Sequence, residues 1–206
     1  MKDIFDIKYK QGANHLGSVL TAYPIIKGIF EEMGPNDKFI LSSGHAGLAQ
    51  YFMLEKKGIL TREEVEKMPL HPSRDESKEI WASTGSLGHG LPIALGMALA
   101  CPQRRYFVLL SDGECMEGSV WESLRIAALR KVTNLRVYIN TNGWGGYDAI
   151  SPFYLYNMLV STEFPINFNF GNGDFEGGEG LHAHYKSQTK EQYEKTLSRL
   201  RLKKSI

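Results

Sequence analysis

Apolar residues fall into two kinds of pattern along this chain. Short continuous runs, which are typical of buried strands, occupy residues 38–41, 105–110 and 135–139. Longer stretches repeat apolar residues every three or four positions and predict helices, over residues 15–33, 45–54, 92–101 and 118–130. Strands that alternate with helices predict an α/β fold with a mostly parallel sheet flanked by helices. The length suits a single domain over residues 1–206.

The two ends of the chain have weaker patterns. Residues 1–14 predict a lead-in with one or two helical turns. Thr61, with Glu64 three positions later, predicts the capped start of a short helix. Beyond Asn142 we expect a short helix over residues 151–160, a strand over 166–170, a glycine-rich and acidic loop over 171–180 and a final amphipathic helix over 188–202.

Two polar residues follow the two central predicted strands. Asp112 comes directly after the strand at 105–110, and Asn142 follows the strand at 135–139. In a βαβ unit the carboxyl ends of the strands meet at one edge of the sheet, where ligands bind. A carboxylate, an amide oxygen and backbone carbonyls suit Mg²⁺, which commonly keeps open positions for phosphate oxygens. Asp112 also has a simpler explanation, because a carboxylate before a glycine and a helix is a common helix cap.

The composition limits the classes of partner. A formal net charge of +1 gives no electrostatic reason to expect nucleic acid or an anionic membrane surface. No apolar run is long enough to span a bilayer, and the charged N-terminus lacks the apolar core of a signal peptide. Cys101 and Cys115 are too few and too isolated for a disulfide framework. We therefore expect a cytoplasmic protein without a membrane or nucleic-acid partner.

Five motif regions between about residues 11 and 148 resemble those of the transketolase family and occur in the same order. They read GANHLGS, LSSGHAGLA, LHPSRD, ASTGSLGHGLPIALGMALA and DGECMEG with Asn142 thirty positions after Asp112. Ser111 stands where the family's last motif normally has its first glycine. The resemblance implies thiamine diphosphate and Mg²⁺ as cofactors, a thiamine diphosphate-binding fold and a transferase activity.

The resemblance also implies a role for individual residues. His15 and His71 would line the substrate channel, although a single histidine beside small residues is more often a capping or packing residue. His45 would donate to the cofactor diphosphate. The other implied contacts are Gly85, Ser86 and Leu87 with the aminopyrimidine, the backbone N–H groups of Gly113 and Glu114 with the diphosphate, and Asp112, Asn142 and the Trp144 carbonyl with Mg²⁺.

Two further catalytic residues rest on the resemblance alone. Glu117 matches a glutamate that lies at the family's subunit interface and takes part in a carboxylate relay between paired active sites. His184 matches a substrate-facing histidine that precedes the final helix, and His182, two residues earlier, is an alternative at that position.

The chain departs from the full family pattern because it ends after the diphosphate-binding region. The family's glutamate that activates the cofactor pyrimidine belongs to a second domain, so the chain resembles the N-terminal subunit of a split, shortened transketolase. A heterotetramer with a pyrimidine-binding partner subunit is implied. The expected reaction moves a two-carbon ketol unit from a ketose or ketose phosphate to an aldehyde. The alternatives are a subunit of a 2-oxo acid decarboxylase or synthase, or a non-catalytic regulatory subunit.

Overall fold

Four parallel strands form the sheet that organises the chain. In the computed structural model, which describes residues 2–12, 15–145, 148–170, 187 and 189–202, the strands are β1 (Lys38–Leu41), β2 (Tyr106–Ser111), β3 (Leu135–Thr141) and β4 (Ile166–Phe170). They lie in the order β1-β2-β3-β4, and every neighbouring pair is parallel. The predicted α/β class is therefore confirmed.

Eight helices surround this sheet in the described parts of the chain. They are α1 (Lys2–Lys10), α2 (Leu16–Glu32), α3 (Gly47–Lys56), α4 (Arg62–Lys67), α5 (Gly90–Ala100), α6 (Gly118–Leu129), α7 (Pro152–Val160) and α8 (Lys190–Leu202). Short 3-10 turns occupy Gly44–Ala46, Glu76–Lys78 and Gly113–Met116. No helix in the described ranges is long and apolar enough to cross a bilayer.

The side chains of β2 alternate between two hydrophobic clusters, one on each face of the sheet. Phe107 and Leu109 pack in a cluster with residues of α1, α2 and α3. Tyr106, Val108 and Leu110 pack on the other face with residues of α5, α6 and α7. The side chains of a strand point alternately to opposite faces of the sheet. A strand that is covered on both faces therefore needs a continuous apolar run.

The structure confirms the predicted elements and moves several of their ends. β3 continues two residues past the predicted Ile139, and α8 begins at Lys190 rather than at residue 188. The N-terminal lead-in is a nine-residue helix, longer than the one or two turns expected. Thr61 and Glu64 form the predicted capping box at the start of α4. The loop predicted over residues 171–180 lies outside the described residues.

The start of α5 is packed tightly against the chain that follows β1. A Cβ added at Gly90 would lie 2.4 Å from the Cβ and 2.5 Å from the Cα of Ser42, whereas a Cβ at Gly96 on the same helix would meet nothing within 4 Å. The absence of a side chain at Gly90 therefore lets this helix approach the strand end.

We expect Gly90→Ala to lower the free energy of unfolding by about 1–3 kcal/mol, because the added methyl group overpacks the contact with Ser42. Gly96→Ala is the matched control, and we expect it to raise stability by about 0.5–1 kcal/mol through its helix propensity. Urea unfolding followed by circular dichroism measures both values. Equal effects of the two substitutions would contradict the close approach at Gly90.

Candidate functional site

A cavity of about 160 Å³ lies at the carboxyl ends of β1, β2 and β3. The residues that line it come from six separate segments, namely His15, Ser18, His45, His71, Gly85, Leu87, Ser111, Asp112, Gly113, Asn142 and Trp144. Nine residues of the predicted site therefore lie around one cavity. This is the edge of a parallel sheet at which ligands bind in open α/β folds.

Asp112 is the most buried polar group in this cavity, with 1% of its surface exposed. One carboxylate oxygen accepts a hydrogen bond from the Gly113 N–H at 3.0 Å, and the other accepts one from the Gly143 N–H at 2.7 Å. Burial raises the pKa of Asp112 to about 6, and the backbone hydrogen bonds oppose that shift only in part. A cation beside this carboxylate would stabilise its ionised form.

Asn142 lies beside Asp112, where the chain leaves β3. Its Oδ1 accepts a hydrogen bond from the Trp144 N–H at 3.0 Å, across Gly143, whose φ of 85° is in the region that favours glycine. The described residues contain no cluster of three or more His, Cys, Asp or Glu side chains that would hold a metal by themselves. The oxygens of one buried carboxylate and one amide fit a Mg²⁺ ion that completes its shell with phosphate oxygens or water.

Three histidines face the same cavity from separate segments. His15 adopts a left-handed conformation with φ of 61° at the start of α2, which is uncommon for a residue with a side chain. Its ring lies 5.2 Å from the His45 ring between centroids, at an interplanar angle of 40°. A Cβ at Gly85 would lie 3.1 Å from the His71 ring, so Gly85 permits close approach of these two segments.

The remaining predicted site residues lie elsewhere. Ser86 is exposed and is not among the cavity-lining residues, although Gly85 and Leu87 on either side of it are. Glu117 is half-buried and precedes α6, where a Cβ at Gly88 would approach its side chain to 2.7 Å. His184 and the alternative His182 lie outside the described residues. Glu114 is not among the cavity-lining residues either, and its backbone N–H donates a hydrogen bond to Ser111 Oγ at 3.4 Å.

The Glu114 side chain forms a buried network that the sequence interpretation missed. Its Oε1 accepts hydrogen bonds from Ser42 Oγ at 2.6 Å and from the Gly88 N–H at 3.0 Å, and its Oε2 accepts one from the Ser111 N–H at 3.1 Å. Ser42 Oγ in turn accepts from the Gly90 N–H at 3.0 Å. One carboxyl group thus ties together the ends of β1 and β2 and the loop that leads into α5. We call these four residues and Glu114 the Glu114 network.

Burial raises the pKa of Glu114 to about 7, and the hydrogen bonds from Ser42, Ser111 and Gly88 oppose that shift. The charge of Glu117 raises the pKa further. No local sequence signal identifies this network, because Ser42 is 72 residues away from Glu114 in the chain.

The fold and the cavity define a class of protein. The described fold is an α/β domain with a parallel sheet. A buried carboxylate, an amide and three histidines lie at the carboxyl edge of this sheet, and such a set of polar groups in a cavity is typical of a cofactor-binding site. Residues 5–145 match the family model described as the thiamine diphosphate binding domain of transketolase. The chain therefore belongs to the transketolase family, and its match is to the N-terminal, thiamine diphosphate-binding domain.

Curated relatives include proteins named as transketolases and others named as subunits of transketolases. The chain is 31% identical over 162 residues to an apulose-4-phosphate transketolase subunit of Phocaeicola vulgatus, a match that covers 68% of this chain and 57% of that protein. It is 36% identical over 125 residues to human transketolase, covering 55% of this chain and 20% of that protein. The chain thus spans little more than half the length of the Phocaeicola protein, and a fifth of the human enzyme.

Solved structures agree with the fold. Transketolase of Pichia stipitis, solved as a point mutant with fructose 6-phosphate, superposes with a TM-score of 0.75 at 20% identity, covering 95% of this chain and 39% of that one. Transketolase of Campylobacter jejuni superposes with a TM-score of 0.70 at 19% identity, covering 95% and 40%. At these identities the likeness shows the fold of the domain.

Proposed function

We propose that this chain is the diphosphate- and Mg²⁺-binding subunit of a split transketolase-like enzyme. The reaction is transfer of a two-carbon ketol unit from a ketose or ketose phosphate to an aldehyde acceptor. The observation that supports this most strongly is that Asp112, Asn142 and the three motif histidines, which are far apart in the sequence, line one cavity. Thiamine diphosphate supplies the chemistry that makes and breaks the carbon–carbon bond when it is bound.

Nine of the cavity-lining residues have a role in this proposal. Asp112, Asn142 and the Trp144 carbonyl hold Mg²⁺, and the burial of Asp112 supports a cation at that position. Gly113 and His45 bind the diphosphate, and Gly85 and Leu87 lie against the aminopyrimidine. His15 and His71 donate hydrogen bonds to substrate hydroxyl groups, together with His184.

Glu117 is proposed as the residue of a carboxylate relay between paired active sites. Burial raises the pKa of the neighbouring Glu114 carboxyl, and the charge of Glu117 raises it further. Glu117 also borders Gly88, in the loop that leads into α5.

The partner in this proposal is a pyrimidine-binding protein of the transketolase type, assembled with the chain as a heterotetramer. Several relatives are named as transketolase subunits, which supports a partner because a subunit implies at least one other chain. Cys101 and Cys115 are both free thiols, which supports a cytoplasmic location.

The test is to co-express the chain with a candidate pyrimidine-binding partner, then to purify the complex. Thiamine diphosphate binding is measured by calorimetry with and without Mg²⁺, and turnover is measured with a ketose phosphate plus an aldehyde and, separately, with 2-oxo acids. We expect Mg²⁺-dependent binding and ketol transfer by the complex.

The other outcomes separate the alternatives. Turnover of 2-oxo acids alone would replace ketol transfer by decarboxylase or synthase activity. Cofactor binding without turnover of any substrate would favour a regulatory subunit. Ketol transfer by the chain without its partner would contradict the split-subunit proposal, and failure to bind the cofactor would overturn the site itself.

A further inference from the structure

A second, larger cavity lies away from the candidate cofactor site, among the C-terminal part of α1, helix α3 and the segment that follows α4. Its volume is about 320 Å³, which is within the size range of small-molecule pockets. Eight described residues line it, namely Lys8, Gln11, Leu48, Tyr51, Glu66, Met68, Pro69 and Leu70. None of them lines the cavity that contains Asp112. We call it the Lys8 cavity.

Lys8 occupies a position where the packing of α1 requires an apolar residue. Ile4 and Phe5, which are fully buried, lie one helical turn before it on the same face, and Lys8 itself is only 2% exposed. Within the described residues its ammonium group has neither an ion-pair partner nor a hydrogen-bond acceptor. Burial without a counter-ion lowers the pKa of Lys8 to about 8.

Tyr51 supplies a second polar group without a partner at this cavity. Its side chain is 1% exposed, and its hydroxyl is buried without a hydrogen-bond partner. Buried polar groups in native proteins normally have a partner, so an unpaired hydroxyl at a cavity requires an explanation. Tyr51 and Lys8 come from different helices, and both line the same space.

The other walls of the cavity favour an organic molecule with a charged end. Leu48, Met68 and Leu70 provide apolar surface, and Glu66 is the one carboxylate among the described lining residues. Glu66 is exposed and does not form an ion pair with Lys8. A largely buried cation without a counter-ion is unfavourable, and an anion that enters the cavity would relieve that cost.

We propose that the Lys8 cavity binds a small organic anion, a carboxylate or a phosphate monoester. The anionic group pairs with the Lys8 ammonium and accepts a hydrogen bond from the Tyr51 hydroxyl, and the rest of the molecule packs on Leu48, Met68 and Leu70. This site is separate from the proposed cofactor site and does not depend on the transketolase activity.

The test follows the Lys8 side chain directly, by NMR of the full chain labelled with ¹³C-lysine. Lys8→Met identifies the Lys8 resonance by its loss, and Lys10→Met, an exposed lysine on the same helix, is the matched control. The pKa of Lys8 is measured without added small anions and then in the presence of acetate or inorganic phosphate. Because the signal belongs to Lys8, phosphate bound near Asp112 does not interfere.

We expect the pKa of Lys8 to lie below the ordinary value for lysine and to rise with saturable dependence on acetate or on phosphate. A response to acetate alone identifies a carboxylate ligand, and a response to phosphate alone identifies a phosphate monoester. We expect the dissociation constant of the bound anion to be about fivefold higher in Tyr51→Phe than in the wild-type protein, because the substitution removes one hydrogen bond of about 1 kcal/mol.

Two results would overturn the proposal. An ordinary lysine pKa in the absence of anions would mean that Lys8 is solvated and needs no counter-ion. A lowered pKa that neither acetate nor phosphate changes would mean that the cavity does not accept anions.

Discussion

Replacing Glu114 with alanine is expected to lower the free energy of unfolding by about 3–5 kcal/mol. The truncation leaves the Gly88 and Ser111 N–H groups and the Ser42 hydroxyl in the interior without their acceptor. Each unsatisfied buried polar group costs about 1–3 kcal/mol, and the side chain also leaves a void. Urea unfolding of the cofactor-free chain, followed by circular dichroism, measures the loss.

Two further variants distinguish the loss of the buried hydrogen bonds from the loss of a carboxylate alone. Glu122→Ala removes an exposed glutamate whose ion pair is with Arg125 on the same helix, and a change within about 0.5 kcal/mol is expected. Glu114→Gln keeps one acceptor oxygen but brings an NH₂ group opposite a backbone donor, so its cost should fall between the other two. If Glu114→Ala were as mild as Glu122→Ala, the Glu114 network would contribute no stability.

Asp112→Asn is expected to weaken Mg²⁺-dependent binding of thiamine diphosphate by at least about 100-fold in the complex with the partner subunit. The substitution removes the negative charge but keeps the shape of the side chain. Substitutions of groups that only orient a metal ligand already cost about 10–100-fold in metal affinity, so loss of the charged ligand itself should cost at least as much. Calorimetric titration at saturating and at zero Mg²⁺ gives the two affinities.

The control for Asp112→Asn is Asp3→Asn, the same chemical change at an exposed position on α1, which should leave the affinity unchanged. Circular dichroism of both variants shows whether the chain is folded. A folded Asp112→Asn complex that binds the cofactor with wild-type affinity and Mg²⁺ dependence would remove Asp112 from the metal site.

The part of the site that is predictable from sequence follows from strand geometry. Asp112 and Asn142 end two apolar runs, and the ends of neighbouring parallel strands necessarily lie close together. The motif histidines required the family resemblance, because nothing in the local pattern around His71 distinguishes it from an ordinary loop residue. The alternation of apolar runs with helical spacing predicts the fold class and the strands β1, β2 and β3, and the weaker pattern over residues 166–170 predicts β4.

Features that depend on distant packing were not predictable in this way. Glu114 follows a strand as many surface acids do, and its burial results from donors on Ser42, Gly88 and Ser111. The charged N-terminal sequence predicts that Lys8 is solvated. Its burial results from the packing of α1 against α3 and the segment after α4. Burial of a polar residue is a property of the assembled fold and has no local signature.

The Glu114 network also bears on how fast a ligand can bind. It fixes the ends of β1 and β2 and the loop before α5 relative to one another through side-chain and backbone hydrogen bonds within the chain itself. Ser111, which belongs to this network, lines the cavity that contains Asp112. This part of the cavity is therefore preorganised, and a ligand that enters does not have to order it. Because this part of the cavity needs no slow rearrangement, the observed rate constant for ligand association should rise linearly with ligand concentration. A slow rearrangement would instead make it reach a plateau.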